Sequence, residues 1–257
     1  RLYSQLAQDS ELKVGKIIWV VSHSGPETGE DSRTHYGIFA PGVTQLFPNG
    51  SIINLHPWEY NEVAPTLSAA LKTNTPIIAI HLTRPPIVIP DRVKLGIDHY
   101  KNSAKGAYII KNYDNKKPKE GVVIIRGTSP INSLIQILPK LKKSGPNVKI
   151  VAAISMDLFK MQTREYQQSI ISTSEWNDSM IITNTSIKLM EKWIVNRFVS
   201  AYSMAPDYDN RWRSGGTLDQ IIIESKLDPS SIWVGINRFS NERSKRLESL
   251  KKEIPNF

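Results

Sequence analysis

Two histidines twelve positions apart, His23 and His35, bracket the most polar stretch of the chain, Ser22 to Gly37. Between them lie Glu27, Glu30, Asp31 and Arg33, with Gly25 and Gly29 to let the backbone bend. Imidazole is the side chain that titrates near neutrality, and nearby carboxylates tune its pKa. Such a loop can shuttle protons to and from sugar hydroxyls. The plainer reading is a polar surface loop with an Asp or Ser helix cap. Arg84 follows an apolar run, Thr75 to Leu82, and leads into Pro85-Pro86. A guanidinium suits bidentate capture of phosphate or carboxylate. All five histidines (His23, His35, His56, His81 and His99) precede residue 100, so histidine acid–base work belongs to that part. No metal site is expected, because no third histidine stands at ligand spacing and no cysteine exists.

The elements that must position these residues read as alternating strands and helices. Lys16–Val21 reads as a buried strand, Ser51–Leu55 as a second and Thr75–Leu82 as a third. Helical spacing of Val63, Leu67, Ala70 and Leu71 predicts a helix over Glu59–Leu71, with Pro65 tolerated in its first turn. The polar segment Lys111–Glu120 marks a boundary between a domain at 1–115 and one at 116–257. After it come strands at Gly121–Arg126, Val148–Ile154 and Ser179–Thr183, and helices at Ser133–Lys143 and Leu189–Phe198. Continuous apolar strands alternating with helices give an α/β fold class: two domains, each a mostly parallel sheet with helices on both faces. Ligands of such sheets sit at the carboxyl ends of the strands, where His23 and Arg84 fall. Trp176, Trp193, Trp212 and Trp233 read as core or interface anchors, and Met180, Met190 and Met204 as core filler. Ser214–Thr217 reads as a turn.

The 257 residues carry no cysteine, which excludes disulfides and thiolate catalysis and suits a reducing compartment such as the cytoplasm. No apolar run nears the ~20 residues of a membrane span. The net charge of +9 resides almost wholly in residues 116–257, with 22 Lys+Arg against 14 Asp+Glu. That excess reads as solvated surface, or as a face for anionic ligands or an acidic partner. Nucleic acid is disfavoured because the basic residues are scattered, not striped between aromatics. Phosphate-loop, dinucleotide and nucleophile-elbow motifs are absent.

At the His23–His35 loop the chain resembles the transketolase family. That family has a strand ending in Thr-His-Asp and a loop Gly-Glu-Asp-Gly-Pro-Thr-His; here stand Val21-Ser22-His23-Ser24 and Gly29-Glu30-Asp31-Ser32-Arg33-Thr34-His35. Asn61-Glu62-Val63, Thr83-Arg84, Thr128-Ser129, Ile154–Asp157 and Arg164-Glu165-Tyr166 resemble further family segments in the same order. The resemblance covers essentially the whole chain, as the latter part of a pyrimidine-binding domain, expected to be incomplete, plus the C-terminal domain. It implies an enzyme, a transferase that moves a two-carbon ketol unit between sugar phosphates of the pentose phosphate pathway. It implies thiamine diphosphate and Mg as cofactors and a homodimer as the complete assembly. It implies roles for His35 and His23 near the reacting carbons and substrate channel, Asp31 on a sugar hydroxyl and Arg84 on the substrate phosphate.

Arg33 replaces a family proline and adds a cation that could serve a differently charged sugar. The family's metal-binding Gly-Asp-Gly and its cofactor-activating glutamate segment have no counterpart here. Cofactor-binding residues are therefore expected upstream of Arg1 or on a separate N-terminal subunit, with the isolated chain inactive and a fragment favoured by its Arg1 start. Alternatives are a thiamine-dependent ketoacid dehydrogenase or deoxyxylulose phosphate synthase component, or a non-catalytic interaction module.

Overall fold

The computed structural model describes residues 2–10, 14–213 and 215–253. Three short apolar runs form the first sheet: β1 (Ile17–Val21), β2 (Ile52–Leu55) and β3 (Ile77–His81). The order is β1-β3-β2 and every pairing is parallel, as right-handed strand–helix–strand crossovers require. The second sheet holds β4 (Ala107–Lys111), β5 (Val122–Arg126), β6 (Lys149–Ala153) and β7 (Ser179–Thr183) in the order β4-β6-β5-β7. Two of its three pairings are parallel; at the edge, β4 runs antiparallel to β6. β4 precedes the polar segment 111–120, so the chain joins the second sheet before crossing it.

The second sheet is sandwiched. Ile131, Leu134, Leu138 and Leu141 of the helix Thr128–Ser144 pack with Ile232, Ile236 and Phe239 of the helix Pro229–Asn241 over one face. Phe159, Ile170, Trp193 and Val199 cover the other. Trp176 and Trp193 pack there, Met180 and Met190 are buried, and Met204 and Trp233 are half-buried against the first face.

Several expectations change. β1 is not buried: Ile17, Ile18, Trp19 and Val20 are each at least 40 % exposed and join none of the described core clusters, whereas β2, equally an edge strand, is covered and buried. Trp212 is not a core residue; it is exposed, edge-on to Phe39 and Tyr36. The expected helix Leu189–Phe198 is instead a 3-10 helix, Ile187–Trp193, followed by a separate helix, Arg197–Ala201. Asn196 makes the break: its Oδ1 accepts from the amides of Phe198 and Val199 and so caps a new N-terminus. The Ser214 turn lies partly outside the described residues; Gly215 and Gly216, within it, have positive φ.

The carboxyl ends of the two sheets meet. The His56 amide donates to the Ile154 carbonyl (2.8 Å), and the Asn54 amide donates to Asp157 Oδ2 (2.9 Å). Among the described residues no helix is long and apolar enough to cross a membrane.

Candidate active site

β1 and β3 run on side by side past their last paired residues. Leu82 donates its amide to Val21 (2.7 Å), and Ser24 donates to Leu82 (3.0 Å). This continuation sets His23 beside Arg84. The loop after His23 then folds as two 3-10 turns, Pro26–Glu30 and Arg33–His35, the second begun by Ser32 accepting the Thr34 amide. Reciprocal amide–carbonyl bonds between Gly25 and Gly37 close the loop and return His35 to His23.

Four of the five residues expected to act on substrate converge here. Arg84 Nη2 lies 2.8 Å from His23 Nε2 and 3.3 Å from His35 Nδ1, and it ion-pairs with Asp31. Asp31 also stands 3.7 Å from His35 Nδ1, and the two imidazoles meet edge to face at 5.1 Å. A guanidinium only donates, and Nη2 has two hydrogens to give. With Asp31 and His23 nearest to Arg84 Nη2, His23 Nε2 accepts and His23 carries its proton on Nδ1, 3.2 Å from Ser22 Oγ. Burial, the Arg84 charge and His35 hold His23 below the ordinary imidazole range. Two imidazoles can take up or give protons, a carboxylate can accept from a hydroxyl, and a guanidinium can bind an anion. Asp31, His35 and Arg84 are each about 40 % exposed and open to a ligand. Arg33, the fifth residue, is exposed on the second 3-10 turn and stands outside this hydrogen-bonded cluster.

Ligand atoms of His23, Asp31 and His35 all lie within 4.8 Å of one another, close enough to share a cation. The Arg84 guanidinium already occupies that convergence, and a metal ion there would face its charge at contact distance. These residues do not fit a divalent ion holding a diphosphate, and no step of the chemistry is routed through one.

The loop is anchored to the second sheet by residues that no local pattern marks. Glu27 is 2 % exposed; its Oε1 accepts the Ser129 amide (2.9 Å) at the start of the helix Thr128–Ser144 and a bond from Asn184 Nδ2 (3.1 Å). The helix thus begins five residues before the expected Ser133, capped by a side chain 102 positions away. Gly127 has φ 102° and its missing Cβ would strike Asn184, so glycine is required for the close approach. Burial raises the Glu27 pKa, and the bonds from Ser129 and Asn184 oppose it. Glu27→Ala strips a buried cap and leaves two donors unsatisfied. It is expected to cost about 3 kcal/mol in urea unfolding, with Glu27→Gln costing less; equal stability of Glu27→Ala and the parent would show the anchor to be idle.

His56 and His81, at the carboxyl ends of β2 and β3, were not expected as a pair. They stack at 4.5 Å with planes 11° apart. His81 Nε2 donates to Asn54 Oδ1 (3.0 Å).

Residues 106–204 match the family model described as transketolase-like TK C-terminal domain. The chain is 30 % identical over 168 residues to the chloroplastic transketolase of Solanum tuberosum, covering 64 % of this chain and 21 % of that protein. It is 27 % identical over 168 residues to transketolase 2 of Escherichia coli, covering 65 % and 24 %. The chain thus spans less than a third of the length of these relatives. Among solved structures, transketolase from Leishmania mexicana superposes with TM-score 0.68 at 16 % identity, over 95 % of this chain and 32 % of that one. A Pichia stipitis transketolase complex with sedoheptulose 7-phosphate gives TM-score 0.67 at 18 % identity, over 96 % and 32 %. The segment from β4 to the residues after β7 thus matches a transketolase-like C-terminal domain in sequence, and nearly the whole chain takes the fold of the solved transketolases.

Proposed function

We propose that this chain supplies the sugar-phosphate-binding face of a thiamine-dependent transketolase. In that role His23, Asp31, His35 and Arg84 act on a substrate whose cofactor is held elsewhere. The observation that carries the reading is their convergence: one cation, one carboxylate and two imidazoles at the carboxyl ends of adjacent parallel strands. Arg84 would take the substrate phosphate by exchanging its contacts with Asp31 and the imidazoles for phosphate oxygens. Asp31, so released, would accept a sugar hydroxyl. His35 would receive or return the hydroxyl proton through its imidazole, and His23 would line the entry and hold the proton balance. Arg33, free on the loop surface, would attract the anionic substrate from outside the cluster.

Thiamine diphosphate and a divalent cation, Mg by resemblance, are the family's cofactors, and their site is not in this chain. They would come from an N-terminal region or subunit, and the complete assembly would be a homodimer. The chain alone would be inactive, and its lack of cysteine suits a cytoplasmic setting.

The test uses the assembly reconstituted with its thiamine-binding region. Arg84→Ala is expected to raise KM for a ketose phosphate at least tenfold while leaving KM for the unphosphorylated ketose nearly unchanged, a difference of ~1.4 kcal/mol or more. His35→Ala is expected to lower kcat by about 10²-fold or more with a smaller change in KM. Equal KM shifts for both sugars would remove the phosphate role of Arg84. Faster turnover of a simple ketoacid than of a ketose phosphate would overturn the transketolase reading.

A further inference from the structure

We infer that a small monovalent anion binds between the two sheets, held by Arg126. Arg126 ends β5 and is 3 % exposed. Its Nη1 donates to the Leu189 carbonyl (3.2 Å) and its Nη2 to Thr185 Oγ1, while Nε is buried with no acceptor. Among the described residues no carboxylate lies within ion-pair distance of it, in contrast to the buried Arg92 and Arg246. A buried guanidinium stays charged, and leaving it without a counter-charge is costly. Burial alone pushes its pKa down to about 9, the response of a cation with no counter-ion.

The missing counter-charge has a place to sit. A cavity of about 30 Å³ adjoins Arg126, lined also by Asn54, His56, Ser155, Asp157 and Lys192. A water needs ~10–15 Å³ by this measure, so the space suits a halide or an ion of similar size and excludes a sugar phosphate. Asp157 is already committed: Oδ2 accepts the Asn54 amide, and Oδ1 accepts Lys192 Nζ at 2.9 Å. The Asp157–Lys192 pair is neutral as a unit. His56 is neutral too, since burial, Arg126 and His81 hold its pKa well below the ordinary value. The surplus is therefore a single positive charge, which sets the valence of the guest. The cavity is bounded by the carboxyl ends of β2, β5 and β6, so the anion would bind both sheets together.

The experiment compares thermal unfolding of the full chain in sodium bromide with sodium gluconate at constant ionic strength, gluconate being too large for the cavity. Above the Kd, Tm is expected to rise about 3 °C per tenfold increase in bromide, and Arg126→Met is expected to abolish the rise. Anomalous diffraction from bromide crystals of the unaltered protein decides the matter independently of whether that variant folds; density is expected in the cavity beside the Arg126 guanidinium. A Tm that does not depend on bromide, a folded Arg126→Met that keeps the full response, or no bromide density at Arg126 would each overturn the inference.

Discussion

Arg92→Ala is expected to destabilise the chain by about 3–5 kcal/mol, because it removes the cation from a buried group of two carboxylates. Arg92 Nε donates to Glu59 Oε1 and Nη2 to Glu62 Oε1, both at 2.7 Å, and Nη1 donates to the Asp98 carbonyl (3.0 Å). Glu62 is fully buried and Glu59 is 4 % exposed. Glu62 also accepts from the Tyr108 hydroxyl (2.6 Å), which in turn accepts from Trp58 Nε1 (2.7 Å). The guanidinium lies over the rings of Trp58 and Tyr108 at 5.2 and 5.3 Å, adding cation–π attraction. Trp58 and Glu62 follow β2, whereas Tyr108 lies in β4, so the group joins the first unit to the edge strand of the second. Burial raises the Glu62 pKa to about 7, and the Arg92 charge opposes that rise. With Arg92 gone, the opposition vanishes and both carboxyls must protonate or remain as unpaired charge. The triple change Arg92→Met, Glu59→Gln, Glu62→Gln is expected to recover most of the loss, since it removes the charges together. Equilibrium urea unfolding reads both effects. A loss below about 1 kcal/mol for Arg92→Ala would mean that water or neighbouring groups replace the cation at no cost.

The same contrast between local and distant partners explains what could be read from the sequence. Runs such as Val122–Arg126 and Thr75–Leu82 announce themselves, because a strand buried on both faces is continuously apolar. β4 is just as buried but was not marked, since Ala107–Lys111 is short and abuts the charged segment 111–120. β1 misleads in the opposite direction: Ile17–Val21 has the composition of a buried strand, yet composition cannot tell whether another layer covers a strand's faces. Within the site, His23, Asp31, His35 and Arg84 were legible because each falls just past a strand or on a motif-bearing loop. Arg33 shares the loop but is exposed and makes no hydrogen bond to the cluster, a distinction that only the folded loop reveals. Glu27, Asn184 and Arg126 left no trace, for their partners lie 59 to 157 positions away and their roles depend on burial.

His81→Gln is expected to flatten the acid limb of the stability profile. Burial first, and then the Arg126 charge, lowers the His81 pKa to about 3; His56, stacked on it, is also held well below its ordinary value. The unfolded chain takes up these protons near pH 6.5, whereas the folded chain resists them until far lower. Stability contributed by the neutral pair is therefore complete above about pH 6.5 and is lost as pH falls toward 3. The slope is up to ~1.4 kcal/mol per pH unit for each histidine. Glu27 and Glu62 work the other way, because raised pKa values favour the folded chain as pH falls toward the usual carboxylate range, for Glu62 from about 7. The parent profile is a sum of opposing slopes, and the variant separates them. Glutamine can still donate to Asn54 Oδ1, as His81 Nε2 does, but carries no titratable group. Relative to its own value at pH 8, the variant at pH 4.5 is expected to retain about 2–3 kcal/mol more stability than the parent. Urea midpoints across that range measure the difference. Parallel curves for the two proteins would mean that His81 is protonated in the folded chain at ordinary pH. Its Nδ1, buried with no acceptor, would then need a partner that the packing around it does not provide.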